Sequence, residues 1–317
     1  MKTKALIILL FIAILVTGCT SKVTEVSSGT SKEVEDGRFR LYEPDGTVFE
    51  SDKIPERIIV VSVSTAEIMD ALGIEMVGMT RTTRQISEKL KALPTVGFPM
   101  QPNIESITAL NPDLVILSYD FKNQNKEKME QHNIPAYFID NQSYKGTMES
   151  IEMLGKAFGK QAEADKLLKE MKDREKAVLD MVKKNNQTKV LVLFGTSESF
   201  MMARDTSFAG DLVKLLGAKN IINDADIKLS EDTGNYIPLS IEKVVEMNPD
   251  IILRISHGTV EATQMLYEQE FTRNPIWKNI TAQQNGAVYD LPQDLFFSNS
   301  GLRIVESLEY LAKLLYK

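Results

Sequence analysis

The chain has 317 residues, 43% hydrophobic and 26% charged, with 37 basic and 44 acidic side chains, one cysteine and two histidines. That length accommodates one large domain or two ordinary ones, each with its own core. A single cysteine excludes an internal disulfide or a thiolate cluster. His132 and His257 alone exclude a many-histidine metal centre, and a formal charge of −7 excludes the basic field of a nucleic-acid binder.

Lys2 and Lys4 precede an unbroken apolar run over 5–16. Twelve residues fall short of the roughly 20 needed to span a bilayer but match the hydrophobic region of an export signal, so 1–18 is expected to be a signal peptide removed from the mature protein. The segment ends Leu15-Val16-Thr17-Gly18-Cys19, which resembles a bacterial lipoprotein box. Cys19 is then the first mature residue, carrying palmitate-type acyl chains that hold the protein to the extracytoplasmic face of the cell membrane. Loss of the two lysines brings the formal charge to −9. From 19 to 37 the lipidated end and its Ser, Thr, Lys and Glu-rich continuation read as a flexible tether, with too little apolar content to repay ordering.

The body begins with two short strands around Glu43-Pro44-Asp45-Gly46 within 38–49. A β-branched run over 57–63 predicts a buried strand, and 65–72 a short helix that ends at Gly73. The alternation continues with a strand over 75–78, a strand over 114–118, a helix over 126–132, a strand over 136–140 and a helix over 146–158. Residues 162–184 lack Gly and Pro and place Ala164, Leu168, Met171, Val178 and Val182 on one side, interrupted by Glu175. They predict a helix roughly 35 Å long, able to bridge two lobes. Then follow a strand over 189–194, a helix over 208–216, strands over 250–254 and 287–291, and a helix over 302–316. The expected fold is α/β, with two similar Rossmann-like lobes built on mostly parallel sheets. The N-terminal lobe covers 38–160, a connecting helix 161–187, the C-terminal lobe 188–317, and the ligand cleft lies between the lobes.

An internal repeat supports the two lobes. Pro102-Asn-Ile-Glu-Ser-Ile-Thr-Ala-Leu-Asn-Pro-Asp-Leu-Val-Ile-Leu117 is echoed 137 residues later by Leu239-Ser-Ile-Glu-Lys-Val-Val-Glu-Met-Asn-Pro-Asp-Ile-Ile-Leu-Arg254. Each copy is an amphipathic helix, stopped where proline disfavours helix in the preceding residue, and then a buried strand. Paired α/β lobes leave a cleft at the carboxyl ends of their strands, where ligands bind.

Together with Val96-Gly-Phe-Pro-Met-Gln-Pro-Asn-Ile-Glu105, Asn248-Pro-Asp-Ile-Ile-Leu-Arg-Ile-Ser-His-Gly258, Glu270-Phe271, Ile276-Trp-Lys278 and Val288-Tyr-Asp-Leu291, the repeat resembles the substrate-binding lipoproteins of ABC importers. The class is the one with a rigid helix between lobes that binds siderophores, cobalamin or heme, and the likeness is strongest to its heme receptors. The resemblance implies that Met100 and His257 are the two axial ligands of a heme iron, carried as cargo. Met100 lies in a Pro-bounded loop and His257 directly after a strand, one in each lobe, and thioether with imidazole is a known iron ligand pair. Heme propionates would meet the start of the first helix at Ser64, Thr65 and Ala66, or Arg81 with Arg84. Phe98, Tyr119, Leu295 and Phe297 are candidate covers for the porphyrin face. The resemblance also implies that Glu105 and Glu242, the matched carboxylates of the repeat, dock onto the permease of the importer and its ATPase. It further implies that cell-surface proteins donate the heme and that the protein acts as a monomer. His132 reads as a helix-end surface residue. The alternatives are a ferric siderophore or cobalamin as cargo and, more remotely, an α/β enzyme. Gly195-Thr-Ser-Glu-Ser199 resembles a nucleophile elbow only loosely.

Overall fold

The computed structural model describes residues 37–316 apart from 183–186, 197, 224–233, 258–259, 269–270, 272–274 and 297–298. The leader, Cys19, most of the tether and Phe297 therefore lie outside the described residues. An antiparallel hairpin comes first, β1 (Phe39–Tyr42) with β2 (Val48–Ser51). It is followed by β3 (Ile58–Val61), α1 (Val63–Ala71), β4 (Gly78–Met79), α2 (Glu88–Lys91), a small ribbon of β5 (Gly97–Phe98) and β6 (Gln101–Pro102), and α3 (Ile104–Ala109). Next come β7 (Leu114–Ser118), α4 (Lys122–Gln131), β8 (Ala136–Ile139) and α5 (Tyr144–Ala157). The long helix α6 (Gln161–Met181) leads to β9 (Lys189–Gly195), β10 (Phe200–Ala203), α7 (Phe208–Leu215), β11 (Lys219–Asn220) and β12 (Tyr236–Pro238). The chain closes with α8 (Ile241–Met247), β13 (Ile251–Ser256), α9 (Val260–Tyr267), α10 (Thr281–Gln284), β14 (Val288–Asp290), α11 (Gln293–Phe296) and α12 (Ile304–Leu315).

The first sheet runs β4-β3-β7-β8 and is parallel throughout. In the second, ordered β12-β10-β9-β13-β14 with β11 also beside β9, β10 and β12 run antiparallel to their neighbours. The sequence reading missed these two strands. Gly195 to Ser199 is the reason: Thr196 closes a tight turn onto Ser199, which sends the chain straight back as β10. A nucleophile elbow needs a strand feeding a helix, so this segment is not one.

Strand residues alternate between two apolar layers, as the twofold period of a strand requires. Ile59, Val61, Val115 and Leu117 meet α3 and α4 side chains on the outer face of the first sheet, while Leu191, Leu193 and Ile252 do the same for the second. The opposite faces of both sheets, Ile58, Val60, Leu114 and Ile116 with Val190, Val192, Leu253 and Ile255, belong to one continuous core that includes α1, α5, α6, α7 and α12. The buried stripe of α6 is Ala164, Leu168, Met171 and Val178. At 1.5 Å per residue its 21 residues run roughly 31 Å, packed along the sheets' shared helical layer.

The sequence repeat is a structural repeat. Asn111 and Asn248 end α3 and α8 in the left-handed region, at φ 47° and 45°, a conformation Asn tolerates better than most residues. The Asp two positions on then accepts backbone N–H groups at the start of the neighbouring central strand: Asp113 from Glu56 and Arg57 at 2.9 and 2.8 Å, Asp250 from Lys189 at 2.8 Å. The basic side chain there reaches back to the helix end, Arg57 to the Leu110 and Asn111 carbonyls and Lys189 to that of Met247.

The β1–β2 hairpin is attached to the first lobe by a buried ion pair. Lys122 Nζ sits between the Glu43 and Asp45 carboxylates, and Glu43 also accepts the Phe138 backbone N–H at 3.0 Å. The Glu43 side chain is only 2% exposed. Lys122→Met leaves that carboxylate buried without its cation, and stability falls by about 3 kcal/mol, measurable as a lower urea midpoint with unchanged slope.

Candidate functional site

Both sheets present their carboxyl ends to the seam between the lobes. Asn141, after β8, and Thr147 accept hydrogen bonds from Asn299 Nδ2. Asp211 on α7 accepts the Tyr144 N–H at 2.7 Å. Gly301, at φ +58°, lies so close to Ser64 that a β-carbon there would come within 2.9 Å of the Ser64 Cβ. These contacts join the lobes at one level and leave the strand-end loops beyond it as the two sides of a cleft.

On the N-terminal side, the ribbon β5–β6 is anchored to the end of β4: Arg81 N donates to the Gly97 carbonyl at 2.7 Å and Val96 N to that of Met79 at 2.9 Å. Gly97 sits at φ +90°, and a β-carbon there would meet the Asn103 backbone at 2.9 Å, so only glycine fits. Pro99 and Met100 form the two-residue tip. The tip leaves Met100 53% and Phe98 54% exposed, and the Arg81 guanidinium lies 5.7 Å from the Phe98 ring centre. Covering two such side chains with an apolar ligand is worth about 2 kcal/mol each.

On the C-terminal side, His257 follows β13 directly, its N–H bound to the Gly195 carbonyl at 2.6 Å. Its exposed ring lies 5.6 Å from that of Phe194, which in turn is 4.8 Å from Tyr236 on β12. The sequence reading missed Phe194 and Tyr236, because the row of rings His257, Phe194 and Tyr236 joins three strands distant in the chain. Burial pushes the Tyr236 hydroxyl up to about 12, with the Asp120 carboxylate of the opposite lobe adding to the shift.

Ser64, Thr65 and Ala66 are all buried. The helix begins two residues earlier than expected: Ser62 is the cap, its hydroxyl accepting the Thr65 N–H and its carbonyl the Ala66 N–H. Asn141 also donates to the hydroxyls of Ser64 and Thr65. The first-turn amides not engaged in these bonds are those of Val63 and Ser64. Arg84 pairs with Glu67 at 3.4 Å, whereas Arg81 has no carboxylate partner among the described residues. Of the other expected porphyrin covers, Tyr119 lies beneath Lys122 Nζ and Leu295 is buried in the shared core. Glu105 and Glu242 are both exposed in the first turns of α3 and α8. His132 caps the C-terminus of α4.

At Asp120, just after β7, loss of solvation with Asp140 nearby pushes the carboxyl up to about 6. A carboxyl raised on folding favours the native state fully only below its unfolded value, and that stability is lost as pH rises through the folded value. Asp120→Asn is expected to raise the melting temperature of the ligand-free protein at about pH 8, with the gain gone by about pH 4.

The chain matches the periplasmic binding protein family over residues 58–295. It is 33% identical over 270 residues to the high-affinity heme uptake system protein IsdE of Staphylococcus aureus strain bovine RF122 / ET3-1, covering 84% of this chain and 90% of that protein. The crystal structure of an ABC transporter substrate-binding protein from Listeria monocytogenes EGD-e superimposes with a TM-score of 0.75 at 32% identity, over 83% of this chain and 99% of that one. The structure of S. aureus IsdE complexed with heme does so with a TM-score of 0.74 at 32% identity, over 82% and 99%. Among the described residues, no helix is long and apolar enough to cross a membrane. Two α/β lobes closed on a strand-end cleft, matched over most of the length by this family, make the chain a periplasmic binding protein, an extracytoplasmic, non-enzymatic substrate-binding component of ABC import.

Proposed function

We propose that the cargo is heme, held between the lobes with Met100 and His257 as axial ligands and handed to an ABC permease for iron acquisition. The observation that carries this reading is the placement of the two donors. Met100 is held outward at the tip of a glycine-dependent ribbon on one strand-end rim, and His257 lies on the other rim beside the Phe194 and Tyr236 rings. Heme supplies four nitrogens of its own and asks the protein for two, which suits a chain with two histidines in all. The similarity to a heme-uptake protein supports the same cargo. A thioether opposite an imidazole raises the iron's potential relative to two imidazoles. Arg81 and the start of α1 at Ser64, Thr65 and Ala66 would take the propionates, Arg81 having the more open position. Cys19 would tie the mature protein to the membrane through its lipids, with residues 19–37 as the leash.

Titration of the soluble body, from Gly37 onward, with hemin is expected to give a low-spin six-coordinate spectrum. Met100→Ala and His257→Ala each convert it to a five-coordinate form and weaken binding on the order of tenfold or more. A Soret band unchanged by hemin, together with tight binding of a ferric siderophore or cobalamin, would replace heme as the cargo.

Glu105 and Glu242 would be the permease contacts. They occupy equivalent positions on helices related by the repeat, which suits a two-fold partner. The Glu105→Ala, Glu242→Ala double variant should retain ligand binding in vitro and lose uptake in cells; uptake at the wild-type rate removes the assignment.

A further inference from the structure

The strand order of the first sheet separates charge along the N-terminal rim of the cleft. At the carboxyl ends of β4 and β3 stand Arg81, Arg84 and the amino terminus of α1, whose dipole is positive at this end. At the carboxyl ends of the other two strands stand Asp120, after β7, and Asp140, after β8. Two strand spacings, roughly 10 Å, separate the β4 and β7 ends of this row, a distance comparable with the width of a porphyrin ring.

Arg81 and Asp120 form no ion pair among the described residues, although Arg84 is partly engaged by Glu67. The Asp120 carboxyl is pushed up by loss of solvation with Asp140 beside it, as two carboxylates sharing one end of a cleft would be. Phe98 packs under the Arg81 guanidinium at the basic end, 5.7 Å from its ring centre.

We propose that this polarity selects the orientation of a planar ligand whose negative charge lies on one edge: Arg81 draws the carboxylate edge to the β4 side, and Asp120 repels it from the β7 side. The proposal rests on heme as the cargo and names Arg81 and Asp120 as residues that decide which way round it sits. Neither touches the iron, so their effect depends on the charge of the ligand's periphery.

The test compares hemin with hemin dimethyl ester, whose esterified propionates carry no charge. Asp120→Asn is expected to tighten hemin about two- to fivefold and Arg81→Ala to weaken it by a similar factor, while the dimethyl ester binds both variants as it binds the wild type. In the Arg81→Asp, Asp120→Arg double variant, the heme-methyl resonances of the ferric complex should change to the pattern of the reversed orientation. Equal effects on hemin and its ester, or an unchanged methyl pattern in the double variant, overturn the proposal. Failure of the wild type to bind either compound overturns instead the assignment of heme as cargo, and the orientation proposal with it.

Discussion

The structure depends on one apolar layer that both sheets share. Helices α5, α6, α7 and α12, with α1, bury a face of each sheet in a single continuous core, so the lobes are not independent bodies on a hinge strand. Interiors packed to this density transmit displacement and do not bend smoothly. The hydrogen bonds of Asn299 to Asn141 and Thr147, and the close approach of Gly301 to Ser64, extend this constraint to the seam. The rims beyond the seam are made of loops and a two-residue ribbon, and adaptation to a ligand falls to them.

That division explains the chemistry of the site. The rigid part uses its polar groups internally: the Thr65 and Ala66 amides of α1, the Asn141 side chain and the Asp113 and Asp250 carboxylates are engaged in holding elements together. The rims carry exposed side chains, Met100, Phe98 and Arg81 on one side and His257 beside Phe194 on the other. The matched Asn-Pro-Asp segments serve the rigid part in both lobes. The glutamates eight residues ahead of each Asp point outward, at positions that the repeat makes equivalent.

Much of this was legible in local pattern. The strands over 114–118 and 136–140 and the helices over 146–158 and 208–216 were found to within a residue or two, because short continuous apolar runs and the 3.6 period leave strong marks. The ribbon β5–β6 and the strands β10 and β12 were not found: two to four residues carry no period, and their pairing is decided by hydrogen bonds to strands elsewhere. For the site, the sequence pointed to Met100, His257 and Arg81 but could not pair His257 with Phe194 and Tyr236. It also placed the start of α1 two residues late, so Thr65 and Ala66 looked more available than their burial allows.

By itself, then, the sequence determined the doubled lobe and the long helix between its copies, since each of these is written in contiguous residues or in a constant offset of 137. The tertiary structure decided which side chains reach the cleft and how its rim is charged. Those properties arise from strand order and from contacts between residues far apart in the chain, such as Ser64 with Gly301 and Phe194 with Tyr236, for which no local spacing exists to be read.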